Sequence, residues 1–211
     1  MILHPDKVDA IIVCAIYAVM KSKDIAANTE TYRFSDNWPM AKEDESIVIV
    51  AHGDEFSAGS LTADQLFVHL RNILPVKYHG TIKIMSCLSG RYMSDNESIA
   101  SNLFNKLKSD QFKGFSIIAP KGPLMAYVDP FGKVSQIVLN PDREFDCHDI
   151  DNKEVVKQAN EQLERINDKL DINICQRIHE LVSPSLNEIG KIFIKADIAF
   201  RNNCFLVLKL L

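Results

Sequence analysis

Up to about residue 140 the chain alternates short apolar runs with amphipathic stretches, the pattern of strands interleaved with helices. Ser46 to Val50 and Thr81 to Met85 are apolar runs of strand length. Between them Leu66, Phe67, Leu70, Ile73 and Leu74 fall on one helical face, so the stretch Leu61 to Leu74 predicts a helix. Thr62 with Gln65 supplies a capping box and Pro75 ends it. A second such unit follows: Ser94 and Glu97 form a capping box ahead of an Ile99, Leu103, Leu107 stripe, and Phe115 to Ala119 reads as a strand. Asp129-Pro130-Phe131-Gly132 is turn chemistry inside Met125 to Leu139, which predicts a hairpin. Ser35 to Glu45, with Pro39 and five charges, is a loop. Asp9 to Ile16 is continuously apolar after its first residue and reads as a buried strand, a helix running on to Met20 being the alternative. Alternating strands and helices predict an α/β fold with a mostly parallel central sheet and helices on both faces.

Beyond residue 140 the pattern changes. Val156, Ala159, Leu163, Ile166 and Leu170 recur at spacings of three and four, an amphipathic helix whose stripe either packs on its own domain or covers a protein partner or a homodimer seam. Ile174 to Val182 continues as a second helical segment broken at Pro184, and Lys191 to Leu211 reads as β-rich runs around Arg201-Asn202-Asn203. The chain is therefore divided into a domain over residues 1–140 and a helical and β extension over 141–211, expected to pack on it. That extension either lengthens the sheet or covers its crevice.

The length of 211 residues and the 46 % apolar content suffice for a real core. A net charge of -4 and a pI near 5.9 offer no electrostatic support for nucleic acid or an anionic membrane as partner. The apolar run Ala10 to Met20 is too short to span a bilayer, and Asp6 and Asp9 precede it where an export signal would be basic. Cys14, Cys87, Cys147, Cys175 and Cys204 are an odd, scattered set without C-x-x-C spacing, which points to reduced thiols in a cytoplasmic setting and to no metal site. A protein secreted without a cleavable signal into a host cytosol would look the same. Cys147-His148 in an acidic run reads as solvated loop, His69 as a histidine with a surface or packing role, and His79 as a loop histidine.

One place carries chemistry. The run Ile47 to Val50 leads through Ala51 into His52-Gly53-Asp54-Glu55, and the next strand leads through Ser86 into Cys87. Ligands in open α/β sheets bind beyond the carboxyl ends of the strands, and a crossover of this length returns the chain to a neighbouring strand. Imidazole and thiol would emerge side by side. A free thiol is only a few per cent thiolate at neutral pH, and a nearby imidazole can hold it ionised or take its proton. The backbone N–H groups of Gly53 and Cys87 are candidate donors to an oxyanion, each such donor being worth about 3 kcal/mol in the transition state. Asp54 and Glu55 are candidates to orient His52 or to read a basic substrate side chain. Such chemistry requires neither metal nor cofactor.

An apolar strand ending in His-Gly, Ile47-Val48-Ile49-Val50-Ala51-His52-Gly53, and a later one ending in a small residue and Cys, Ile82-Lys83-Ile84-Met85-Ser86-Cys87, resemble the clan CD cysteine peptidases. The stretch Phe115 to Lys133, with its Ala-Pro-x-Gly turn and Asp/Gly-containing hairpin, is most similar to the self-processing protease domains of bacterial toxins. The resemblance covers roughly residues 8 to 140. It implies a caspase-like sandwich, a cysteine endopeptidase that cleaves protein substrates through an acyl-enzyme thioester, and a bacterial effector or self-processing setting. Cys87 would be the nucleophile, His52 the general base or proton donor, and Gly53 an oxyanion donor. The Gln-Ala-Cys-x-Gly signature of caspases is absent, the chain reading Met85-Ser86-Cys87-Leu88-Ser89, so aspartate specificity is not inferred. Inositol-phosphate activation, known in some toxin-type members, would need a basic pocket from residues such as Lys77, Lys83, Arg91, Lys121 and Lys133. The rival readings are another Cys/His acyl transferase or isopeptidase, and a catalytically silent caspase-like scaffold that binds a partner.

Overall fold

The computed structural model describes residues 1–23, 29–92, 97–139, 153–165, 170–196 and 204–210. In chain order the elements are β1 (Ile2–His4), α1 (Ala10–Lys21), β2 (Thr31–Arg33), β3 (Ile47–Val50), β4 (Ser57–Ala58), β5 (Leu61–Thr62), α2 (Ala63–Ile73), β6 (Thr81–Met85), α3 (Ile99–Ser109), β7 (Ser116–Pro120), β8 (Leu124–Val128), β9 (Val134–Val138), α4 (Lys153–Glu164), α5 (Ile172–Ala196) and β10 (Phe205–Lys209). Six strands form one sheet in the order β10-β7-β6-β3-β1-β2, all parallel except β10, which runs antiparallel to β7. This is an α/β fold with a mostly parallel central sheet.

The two faces of the sheet have separate cores, as the period-two alternation of strands requires. Ile47 and Ile49 join Leu66 and Leu70 of α2 and Leu103 and Leu107 of α3 on one face. Val48, Val50 and Met85 join Ile12, Val13 and Ile16 of α1, Ala126 and Val128 of β8, and Leu163 and Ile178 of α4 and α5 on the other. Strand order reverses between β1 and β3, so right-handed crossovers place α1 and α2 on opposite faces. The carboxyl ends of β1 and β3 flank that reversal, where an open sheet presents a crevice.

Several expectations are corrected. Ala10 to Lys21 is helix, not strand, because Asp9 caps it by accepting from the Ile12 amide at 2.9 Å and because twelve residues exceed a strand's usual length. Its periodicity is hidden because it is covered on several sides, with Ala10, Ile12, Val13, Cys14, Ile16, Tyr17, Ala18 and Val19 all buried. The α3 cap is Ser98, whose hydroxyl accepts from the Ser101 amide at 3.2 Å, whereas Ser94 lies outside the described residues. Helix α5 runs through Pro184 instead of breaking there. Pro184 is exposed while Val182 and Leu186 on either side of it are buried, so packing holds the helix and the carbonyl that Pro184 leaves unpaired can face water. Residues 191–196 are accordingly helix, and of the β-rich tail it is Phe205–Lys209 that forms a strand, extending the sheet beside β7.

Thr62 and Gln65 form their capping box, Leu74 follows α2 as its C-cap, and the hairpin β8–β9 turns at residues 129–132. The stripe of α4 is buried within this chain: Ala159 and Leu163, with Leu170 beyond the helix, pack into the α1 core. Ile166, Cys147-His148 and Arg201-Asn202-Asn203 lie outside the described residues. Among the described residues no helix is long and apolar enough to cross a membrane.

Candidate active site

Strands β3 and β6 pair in register from Ile47 opposite Ile82 to Val50 opposite Met85, and the Ala51 amide still donates to the Met85 carbonyl at 3.2 Å. His52 and Cys87 each follow two residues later, at equivalent positions on adjacent strands. Val50 and Met85 face the α1 core, and by alternation His52 and Cys87 continue that face. Their contacts agree: His52 meets the N-cap of α1, and Cys87 meets the start of β8.

The carboxylate on His52 is Asp9. Asp9 uses Oδ1 to cap α1 and Oδ2 to bind His52 Nε2 at 2.6 Å, so one side chain starts the helix and aims the ring. A carboxylate can only accept, so Nε2 carries the proton and the neutral ring presents Nδ1 as its base. The Asp9 hydrogen bond raises the His52 pKa above its ordinary value, against the opposing effect of burial. Burial pushes the Asp9 carboxyl up, but the His52 ring and the Ile12 amide outweigh it and leave it below the usual range. An acid just before an apolar run is an N-cap signal as well as a possible strand start, and that signal leads to Asp9.

Asp54 and Glu55 are placed elsewhere. Asp54 Oδ1 accepts from the Phe56 and Ser57 amides at 2.8 Å each, an Asx turn that holds its carboxyl below the usual range. Glu55 lies 3.6 Å from Arg91, four residues past Cys87, so it ties together the two loops that carry His52 and Cys87. The amino end of α3 ties them again, since the Ile99 amide donates to the Glu55 carbonyl at 2.7 Å and the Ala100 amide to the Ser89 carbonyl at 3.1 Å.

Gly53 sits where no side chain fits: a Cβ there would collide with the Ser57 carbonyl and the buried Ser86 hydroxyl, which itself has no hydrogen-bond partner among the described residues. The local ladder bonds run from the Gly59 amide to the His52 carbonyl and from the Asp54 amide to the Ser57 carbonyl. They bypass the N–H of Gly53, so it is not spent on Ala58 opposite it.

Cys87 is half-buried at a sharp exit from β6. The next residue, Leu88, has φ of 59°, a left-handed conformation that costs a non-glycine residue about 1 kcal/mol or more. The turn is pinned by the Leu88 amide on the Gly122 carbonyl at 3.1 Å, the Gly90 amide on Pro120 at 2.8 Å and the Ser89 hydroxyl on Ser86 at 2.8 Å. Strand β8 offers Cys87 Sγ both a donor, the Leu124 amide at 3.4 Å, which a thiolate can accept from, and an acceptor, the Leu124 carbonyl at 3.9 Å, which a thiol can donate to. No sequence signal marks that amide.

His69 and His79 have structural partners. His69 stacks on Trp38 with ring centroids 4.7 Å apart, and His79 Nδ1 lies 3.1 Å from the Lys77 carbonyl. Lys77 precedes β6 and Lys121 follows β7, so these two basic residues stand at opposite ends of the parallel strands. Among the described residues no group of three or more His, Cys, Asp or Glu side chains is arranged to hold a metal. Comparison with protein-family models and with curated proteins found no match for this chain.

Proposed function

We propose that this chain is a cysteine endopeptidase of the clan CD, caspase-like type, with Cys87 as nucleophile, His52 as proton carrier and Asp9 as the group that orients His52. The observation that carries the reading is the shared register of His52 and Cys87 at the ends of adjacent parallel strands, with Nε2 of His52 tied to a carboxylate. Helices on both faces, a parallel sheet with an antiparallel edge strand, and the β8–β9 hairpin beside the thiol support the caspase-like assignment.

The chemistry runs in two halves. The Cys87 thiolate attacks the scissile carbonyl carbon, a C–S bond forms, and the oxyanion is met by the backbone N–H groups of Gly53 and Cys87. The C–N bond breaks as the His52 imidazolium gives its proton to the leaving amine, leaving a thioester. Water then attacks the thioester, His52 takes its proton and returns it to sulfur, and the carboxylic acid departs. Raising the His52 pKa favours the imidazolium–thiolate pair from which the first half begins.

Peptide acyloxymethyl-ketone probes varied in their last residue test this directly on wild type, Cys87→Ala and His52→Ala. Attachment at Cys87 that falls sharply in His52→Ala is expected, and the preferred probe reveals the substrate class. Indifference to the whole panel, with Cys87 no more reactive than an ordinary exposed thiol, would move the assignment to a silent scaffold.

A further inference from the structure

We infer that His179, on α5 in the C-terminal segment, is a positioning residue for this site: its neutral imidazole holds β8 where the Leu124 amide meets Cys87. The inference rests on the peptidase reading of the same residues. His179 is buried, its Nε2 accepts from the Val128 amide at 3.3 Å, and its ring lies against Tyr17 of α1 with centroids 4.9 Å apart. It therefore touches both elements that hold the dyad. Val128 ends the strand that Leu124 begins, and all five residues of β8 are paired to β9, so the ribbon moves as a unit over roughly 13 Å. Helix α1 carries the Asp9 cap at its other end.

A nitrogen that accepts a hydrogen bond cannot carry a proton, so Nδ1 bears the hydrogen and the ring must be neutral. Burial pushes the His179 pKa below the ordinary value, with Glu180 opposing, and the Val128 amide donated to Nε2 favours the neutral ring as well. The other ionisable groups on the surrounding elements are Cys14, Tyr17 and Lys21 on α1, Tyr127 on β8 with Asp129 past its end, and Cys175 and Arg177 on α5, whose later turns carry Glu188, Lys191 and Lys195. Glu154, Lys157, Glu161 and Glu164 of α4 are exposed. Protonation removes the acceptor, so acidification should release Val128, and with it the Leu124 amide. The C-terminal segment thereby acquires a role in the site as well as in packing.

Alkylation by iodoacetamide, read cysteine by cysteine by mass spectrometry across the pH range, tests this on the full chain. His179→Phe keeps the ring and the stack but has no acceptor; it should raise the pH at which Cys87 becomes reactive and slow its alkylation near neutral pH about fivefold, the worth of one hydrogen bond. His179→Gln, whose side-chain carbonyl can accept, should restore most of that loss. Cys14, fully buried, should stay unreactive throughout, showing that the core is intact. A Phe variant with protected Cys14 and a Cys87 curve superimposed on wild type overturns the inference.

Amide exchange in the wild type gives a second test that no folding defect can confuse. Protection at Val128 and Leu124 should fall together on acidification while Ile47 to Val50 stay protected; independent behaviour of the two amides overturns the inference. His52→Ala leaving the Cys87 curve unchanged would instead count against the peptidase reading, whatever the His179 variants do.

Discussion

Replacing Asp9 by asparagine separates the two tasks that this side chain performs. Asparagine caps helices as well as aspartate does, so the Ile12 amide keeps its acceptor and stability should change by only a few tenths of a kcal/mol. The contact at 2.6 Å to His52 cannot survive unaltered, because the amide carries no charge and presents a donor where the ring also donates. A hydrogen bond to a charged group is worth about 1.5–3 kcal/mol. The His52 and Asp9 side chains are 61 % and 39 % exposed, so solvent screening brings this down to about 1–2 kcal/mol. The expected loss is therefore about 5- to 30-fold in kcat/KM on a peptide built from the best-accepted probe sequence. The pH dependence adds a signature. His52 loses what raises its pKa, so the alkaline limb of hydrolysis should move to lower pH.

The sign for stability follows from the two shifts. Asp9 has a depressed folded pKa, so its contribution is present above the ordinary 3.8 and is lost as pH falls through the folded value. His52 has a raised one, so its contribution is full below 6.5 and is lost as pH rises through the folded value. The pair stabilises most in the mildly acid window between, and the variant should flatten that part of the stability curve. Activity within twofold of wild type, with the alkaline limb unmoved, would refute the orienting role of Asp9.

Three other substitutions probe the frame. Gly53→Ala forces a methyl against the Ser57 carbonyl and Ser86, and should cost about 1–3 kcal/mol in urea denaturation together with most probe labelling at Cys87. Thr62→Ala removes the hydroxyl half of the α2 capping box; about 1 kcal/mol should be lost in the same assay, with the Cys87 labelling rate unchanged. Leu163→Ala empties a buried position between α4 and α1 and should cost about 2–4 kcal/mol in a single cooperative transition; a separate early transition would show that the C-terminal segment unfolds independently.

Much of the frame is legible from residues that act locally. Strands β3 and β6 are apolar runs of the right length, α2 announces itself with a capping box and a one-sided stripe, and the 129–132 turn carries its own chemistry. Where several neighbours cover an element, the reading degrades. Helix α1 is buried on so many sides that its period vanishes, and β1 and β2, at three residues each, are too short to register any period. Pro184 would break an isolated helix, and only the buried residues either side of it keep α5 continuous.

For the site, the sequence by itself marked out the candidates: His52 and Cys87 at the ends of consecutive parallel strands, with glycine beside the histidine. It could not determine what holds them. Asp9 lies 43 residues before His52, and Leu124 lies 37 after Cys87. Only the tertiary structure, which sets β1 beside β3 in the sheet and packs the separate β8–β9 ribbon against α1, brings a carboxylate to one and a backbone amide to the other. Strand period and capping are properties of neighbours along the chain, whereas the partners of a catalytic group are neighbours in space. Those depend on how the apolar faces of all the elements are buried together.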